Sequence, residues 1–110
     1  MDGFYGVYYS GNAGAAAFGL VLFGGNVFGV DPGGGDITGT YTARDDGALD
    51  LALTFTFTAG TILVTGQTLT QPLVIESNVR IAAATLSGGQ QQVELPTGLV
   101  TVRVRKKANL

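Results

Sequence analysis

Asp31 and Asp36 bracket the glycines of "DPGGGD", and Asp45, Asp46 and Asp50 follow closely behind them. Three chemistries compete for these residues: a phosphate cradle, a cation site and a pair of acid–base carboxylates. A Walker-type phosphate loop needs a Lys-Ser/Thr pair after its glycines. Here Gly33–Gly35 run into Asp36, and the only lysines are Lys106 and Lys107. A dinucleotide fingerprint needs a helix opened by its glycines, but "ITGTYTA" alternates like a strand. Calcium takes six or more oxygen ligands, and two carboxylates with no repeat do not supply them. Paired catalytic carboxylates need a cleft that shifts one pKa, whereas Asp45 falls on a turn and Asp50 on a solvent-facing strand position. The glycines therefore read as hairpin-turn chemistry.

The chain contains no histidine and no cysteine. That removes the commonest general base and metal ligand, the thiolate nucleophile, the zinc-thiolate site and any disulfide framework. The expectation is a non-enzymatic protein with no catalytic residue, no metal and no cofactor. Four of the six basic residues, Arg103, Arg105, Lys106 and Lys107, crowd the last eight positions, and the net charge is −2. An alternating basic strand end more often solubilises than binds, and the acidic remainder argues against nucleic acid. The tyrosines Tyr5, Tyr8, Tyr9 and Tyr41 lack basic neighbours in sequence, so they read as barrel packing or interface rather than a base-stacking platform.

The elements that must carry these residues are strands. "ALDLALTFTFT" places Leu49, Leu51, Leu53, Phe55 and Phe57 on every odd position, opposite Asp50, Thr54 and Thr56. Period two over such a length means one buried face and one wet face. Val100, Val102 and Val104 repeat the pattern near the end, with Thr101, Arg103 and Arg105 facing out. Strands are predicted at Phe4–Ser10, Ala15–Phe23, Val27–Val30, Ile37–Ala43, Ala48–Thr58, a pair within Thr61–Ile75, Val79–Leu86, Gln91–Leu95 and Leu99–Lys106. "SGNAG", "GGN", "DPGGGD", "RDDG", "SGGQ" and "PTG" supply the turns between them. Gly3 to Val30 carries no charge, but its internal turns, strand-like composition and lack of a basic flank oppose a membrane span or signal sequence.

Short strands joined by hairpin-length turns predict one all-β domain over residues 1–110: a small antiparallel up-and-down β-barrel of about eight strands. Leu49, Leu51, Leu53, Phe55, Phe57, Val100, Val102 and Val104 should line an apolar interior without charged groups, able to hold an apolar ligand. In residues 15–23 both strand faces are apolar, more than a soluble monomer usually exposes. A homodimer through Phe18, Leu20, Val21 and Phe23 is expected to cover that surface.

"DGFYGVYYS", "FGLVLFGGNVFGVD" and "GGGDITGTYT" together resemble the GrlR family, small bacterial proteins named for the repressor of a type III secretion regulon. Asp2, Gly3, Tyr5, Gly19, Gly29, Asp36, Gly39 and Tyr41 carry the likeness, which covers roughly the first half of the chain. The resemblance implies a lipocalin-like barrel, often dimeric, without catalytic activity. It also implies a cytoplasmic negative regulator of transcription or secretion that contacts a regulatory protein partner. The repressor's acidic partner-binding loop falls on Ala43, Arg44, Asp45 and Asp46, of which only Asp45 and Asp46 are acidic and Arg44 reverses a charge. The alternative reading is a carrier or sensor that holds an acyl-like molecule in the barrel. Neither nucleic acid nor membrane is expected as a partner.

Overall fold

Leu49, Leu51, Leu53 and Phe57 are all buried, while Ala52 and Thr56 between them are exposed. The alternation thus fixes which face of β5 (Leu49–Phe57) turns inward. The computed structural model describes residues 1–12, 14–31, 34–63, 66–95 and 98–110. Ala13, Pro32, Gly33, Val64, Thr65, Pro96 and Thr97, which fall in the expected turns "SGNAG", "DPGGGD" and "PTG" and in the expected pair within 61–75, lie outside the described residues.

The other elements are β1 (Gly3–Gly11), β2 (Gly14–Phe23), β3 (Asn26–Val30), β4 (Asp36–Ala43), β6 (Leu73–Ile81), α1 (Ala83–Leu86), β7 (Gln90–Leu95) and β8 (Gly98–Ala108). Eight strands form one sheet in the order β6-β5-β4-β3-β2-β1-β8-β7, and every paired neighbour is antiparallel. The chain is an all-β, up-and-down barrel, closed everywhere except between β6 and β7. The Gln91 side chain bridges that seam. Its carbonyl oxygen accepts from the Ala82 N–H at 2.8 Å, and its amide donates to the Arg80 carbonyl at 2.9 Å. One side chain thus substitutes for a ladder and blunts two edges that would otherwise recruit other strands.

Local chemistry sets the turns. Gly24 (φ 60°) and Gly25 (φ 85°) occupy the two central positions between β2 and β3. Positive φ at both is the type I′ geometry that matches strand twist, and it favours glycine. Between β3 and β4, the Asp31 N–H donates to the Gly35 carbonyl at 2.7 Å and the Gly34 N–H to the Asp31 carbonyl at 2.8 Å. The glycines there close a turn. Asp36 sits on the exposed outer register beside Val30 and Thr56.

Two strand expectations fail. The strand expected over Val79–Leu86 stops at Ile81, and residues 83–86 form α1 instead. An alanine run offers no side chain to pack on a pleat but has the highest helix propensity. The pair expected within Thr61–Ile75 is, over the described residues, a connection between β5 and β6 that doubles back loosely. It has one bridge, Ile62 to Thr68, and a hydrogen bond from the Leu69 N–H to the Thr61 carbonyl at 2.9 Å. Gly60 and Gly66 at positive φ break the extended path, and only Leu73–Ile75 joins a strand.

Antiparallel order puts the β1–β2, β3–β4 and β5–β6 connections at one end, here the upper. The N-terminus, the Gly24–Gly25 turn, the β4–β5 turn and α1 lie at the lower end. The lower end is plugged: the Tyr5 phenol donates to the Met1 carbonyl at 2.6 Å, and the Tyr41 phenol donates to the Asp2 carboxylate. Asp2 also accepts from the Gly24 N–H at 3.4 Å. Thr85 of α1 is buried, and Leu86 packs against the core.

Candidate functional site

The barrel encloses a cavity of about 330 Å³. Its wall comes from the inward registers of β1, β2, β5, β6, β7 and β8. All eight predicted interior residues, Leu49, Leu51, Leu53, Phe55, Phe57, Val100, Val102 and Val104, line it. No residue of β3 or β4 lines it, and two of their inward positions, Gly29 and Gly39, carry no side chain. A methyl on Gly29 would meet Leu20 Cδ2 at 2.5 Å, and one on Gly39 would strike the Ala52 carbonyl. That side of the barrel is packed solid around Val27 and Ile37, both almost fully buried and neither on the cavity wall. The void lies against the other strands.

The expectation of an interior without charge is overturned by Asp31, which lines the upper part of the cavity. It sits just past the end of β3 (Asn26–Val30). Its Oδ2 accepts a hydrogen bond from the Tyr9 phenol at 2.7 Å. Tyr9 meets Phe18 edge to face, with ring centroids 5.2 Å apart. Burial, then the hydrogen bond to Asp31 and its negative charge, push the Tyr9 phenol well above its ordinary pKa. The phenol therefore keeps its proton at any physiological pH. Tyr5 is also raised, by burial first and by the Asp2 charge second. Over this end, Leu63 from the β5–β6 connection is buried against Phe57 and Ile75, while Ile62 is exposed on one side and lines the cavity on the other.

The predicted dimer residues divide between the two faces. Phe18 and Leu20 point into the lumen, Leu20 being 4% exposed, and cannot meet a partner across the barrel wall. Val21 and Phe23 lie on the outer face, and Phe23 is 57% exposed. Strand alternation forces this split, since residues an odd number apart point to opposite faces. The outer face also carries Phe4 and Phe28 in register with Val21, forming an apolar row across β1, β2 and β3. Phe4 lies over Gly19, and Tyr8 covers Gly6.

Asp45 and Asp46 are exposed in the β4–β5 turn. Asp46 accepts from the Ala48 N–H at 3.0 Å and lies 3.4 Å from Arg44, so much of its capacity serves its own turn. The Ala48 N–H, before the Arg44 charge, holds its carboxyl below the usual range. Asp50 pairs with Arg80 at 2.7 Å and Arg44 at 3.4 Å on the outer wall. Among the described residues, no group of three or more metal-ligating side chains comes together. The basic strand end is closer to the tyrosines than sequence distance suggests, because β8 pairs with β1. Lys107 lies 5.1 Å from the Tyr8 ring centre and Lys106 5.8 Å from that of Tyr5.

Most residues that carry the GrlR resemblance do packing work here. Asp2 and Tyr41 tie the lower end, Tyr5 anchors Met1, and Gly19, Gly29 and Gly39 leave room for Phe4, Leu20 and the β5 backbone. Sequence reasoning missed Tyr9 and Asp31 as site residues. Tyr9 shares the inward parity of Tyr5 and Val7, a signal that was present. Asp31 follows a strand end and had none. No helix among the described residues is long and apolar enough to cross a membrane. No protein-family model, curated protein or solved structure matches the chain.

Proposed function

We propose that this protein is a non-enzymatic carrier or sensor that holds one small, largely apolar molecule inside its barrel. The observation that supports this reading is the cavity of about 330 Å³ walled by Leu, Val, Ile and Phe. At about 30 Å³ for each small group, that space holds roughly ten non-hydrogen atoms. Pockets of this size and lining are the usual form of a small-molecule site. Mass spectrometry of an organic extract of the purified protein, beside a purification blank, tests it. An apolar molecule recovered in near-equal amount to the chain is the expected result. A nucleotide or sugar recovered in that amount would contradict it.

A second reading, regulation by protein contact, is favoured by the outer row of Phe4, Val21 and Phe28 with Phe23 beside it. The rings of Phe4, Phe23 and Phe28 are 40–57% exposed, and the described outward positions of β1–β3 carry no acidic residue. Patches of this kind are usually covered, most often by two-fold pairing with an identical patch. The occupant we assign is a second copy of the chain, meeting β1–β3 through Val21 and Phe23. Most of the residues that carry the GrlR resemblance serve the fold, and Asp46 is engaged within its own turn, so the outer apolar row is what supports this reading. Light scattering across a dilution series should give a dimer mass. A monomer mass at tens of micromolar protein would refute the pairing.

A further inference from the structure

Resting on the carrier reading, we infer that the lumen selects an unbranched, neutral aliphatic chain, such as a medium-chain alcohol, aldehyde or ester, over both fatty carboxylates and compact ring systems. The shape of the hollow carries the first half of this. The inward residues of β5 from Leu49 to Phe57 all line the cavity, and so do those of β2 from Ala16 to Leu22. These stretches cover eight and six residue steps. At about 3.4 Å for each step and a strand tilt of about 40°, the hollow is about 16–21 Å long. Spread over that length, about 330 Å³ leaves a mean cross-section of about 16–21 Å². Apolar carbons approach to about 4 Å, so a single file of methylenes needs about 16 Å² and a ring, two carbons wide, roughly twice that. The aromatic side chains of the wall leave no slot for a flat guest either. Tyr9 and Phe18 meet edge to face with centroids 5.2 Å apart, and Phe55 and Phe57 lie parallel with centroids 6.1 Å apart. A ring slipped between either pair needs about 7 Å, two contact distances of ~3.5 Å.

What the wall can give a head group carries the second half. A carboxylate taken out of water needs a cation or several donors. None of the six Lys and Arg residues lines the cavity, and the chain has no histidine. Arg44 and Arg80 pair with Asp50 on the outer wall, and Arg103, Arg105, Lys106 and Lys107 are exposed along β8. Among the described residues, the side-chain donors on the wall are the Tyr5 and Tyr9 phenols, each with one proton to give. Tyr5 gives its proton to the Met1 carbonyl at 2.6 Å, and Tyr9 gives its proton to Asp31 at 2.7 Å. Asp31 is an acceptor already engaged and adds no donor. A fatty carboxylate drawn into the lumen would therefore lose its water with nothing to replace it. A hydroxyl, aldehyde or ester loses far less on the same transfer. The acyl-like ligand anticipated from sequence is thereby narrowed to its uncharged forms.

The test is calorimetric titration of the intact wild-type protein at neutral pH with 1-nonanol, nonanoate and 1-adamantanol, probes of similar size that differ in head charge or in shape. An unpaired buried charge weakens binding about tenfold or more, so nonanol should bind at least that much tighter than nonanoate. A cage too wide for the hollow must push packed side chains aside, so 1-adamantanol should also fall about tenfold behind nonanol. Leu53→Ala widens the lumen midway along β5 and should raise 1-adamantanol affinity about fivefold or more. Nonanoate binding as tightly as nonanol would overturn the inference while leaving the carrier reading standing. Wild-type 1-adamantanol binding as tight as that of nonanol, or no gain for it in a folded Leu53→Ala protein, would do the same. Binding of none of the three probes to the wild type would overturn both. The wild-type comparison decides the matter even where the variant fails to fold.

Discussion

Leu53→Ala and Ile37→Ala remove similar amounts of hydrocarbon from two inward positions with different surroundings. Leu53 is 7% exposed and lines the cavity between its register partners Gly39 and Ser77. Ile37 is 1% exposed and lies on the solid side of the barrel, off the cavity wall. Losing three carbons costs about 2–2.5 kcal/mol in transfer free energy alone, at ~0.8 kcal/mol for each methylene. Burial against close-packed neighbours adds a cavity term, which carries such changes to as much as ~5 kcal/mol. Leu53 already faces empty space, so little is added there, and about 2–3 kcal/mol is expected. Ile37→Ala opens a new void and should cost about 3–5 kcal/mol. Thr54, on the outer face of the same strand, should stay within about 0.5 kcal/mol on truncation. With a urea slope near ~2 kcal/mol/M, the midpoint should fall by about 1–1.5 M for Leu53→Ala and about 1.5–2.5 M for Ile37→Ala, and barely move for Thr54→Ala. Equal shifts for Leu53 and Thr54 would refute the assignment of faces. A Leu53 shift larger than that of Ile37 would refute the contrast between hollow and solid sides.

Three further outcomes follow from the same geometry. Gly39→Ala forces a methyl against the Ala52 carbonyl, backbone that cannot swing aside, so it should destabilise by about 1–3 kcal/mol or more and lower the melting temperature. Gln91→Ala removes both bonds across the β6–β7 seam, and amide exchange should quicken at Ala82 while the β1–β2 amides stay protected. Tyr9 has a raised folded-state pKa, so its contribution to stability is fully present below the ordinary tyrosine value near ~10 and is lost as pH climbs above it. Ultraviolet titration should show Tyr9 ionising last and together with unfolding, and Tyr9→Phe should weaken the alkaline pH dependence. Early ionisation of Tyr9 in the folded protein would contradict its bond to Asp31.

Where one residue's neighbours in sequence determined its environment, the fold could be read directly. The Leu–Phe alternation of β5 and the valines of β8 named the barrel wall, because a strand has only two faces and just one set was apolar. The Gly24–Gly25 turn was legible for the same local reason. β2 was not, since both of its faces are apolar and nothing local says which is inside. Periodicity alone therefore groups Phe18 and Leu20 with Val21 and Phe23. The seam depends on Gln91 reaching across to Arg80 and Ala82, and the hollow depends on Gly29 and Gly39 admitting Leu20 and the β5 backbone on one side only. Those are contacts between strands, invisible to periodicity. Asp31 is the clearest case: it reads as a turn aspartate, and only barrel closure brings it against Tyr9, distant in sequence and on a different strand.

The most direct test of the hollow barrel is a nuclear magnetic resonance titration with nonanol, read on the methyl groups of the lumen and repeated in Val102→Phe. Val102 is 7% exposed and faces the cavity, so a larger ring there fills ligand space without touching the outer wall. One equivalent of nonanol should shift the Leu53, Val102 and Val104 methyl signals of the wild type and leave those of the outer Val21 and Val74 in place. The folded Val102→Phe protein should lose that binding. Shifts confined to the outer wall, or full binding retained by Val102→Phe, would contradict a ligand site inside the barrel.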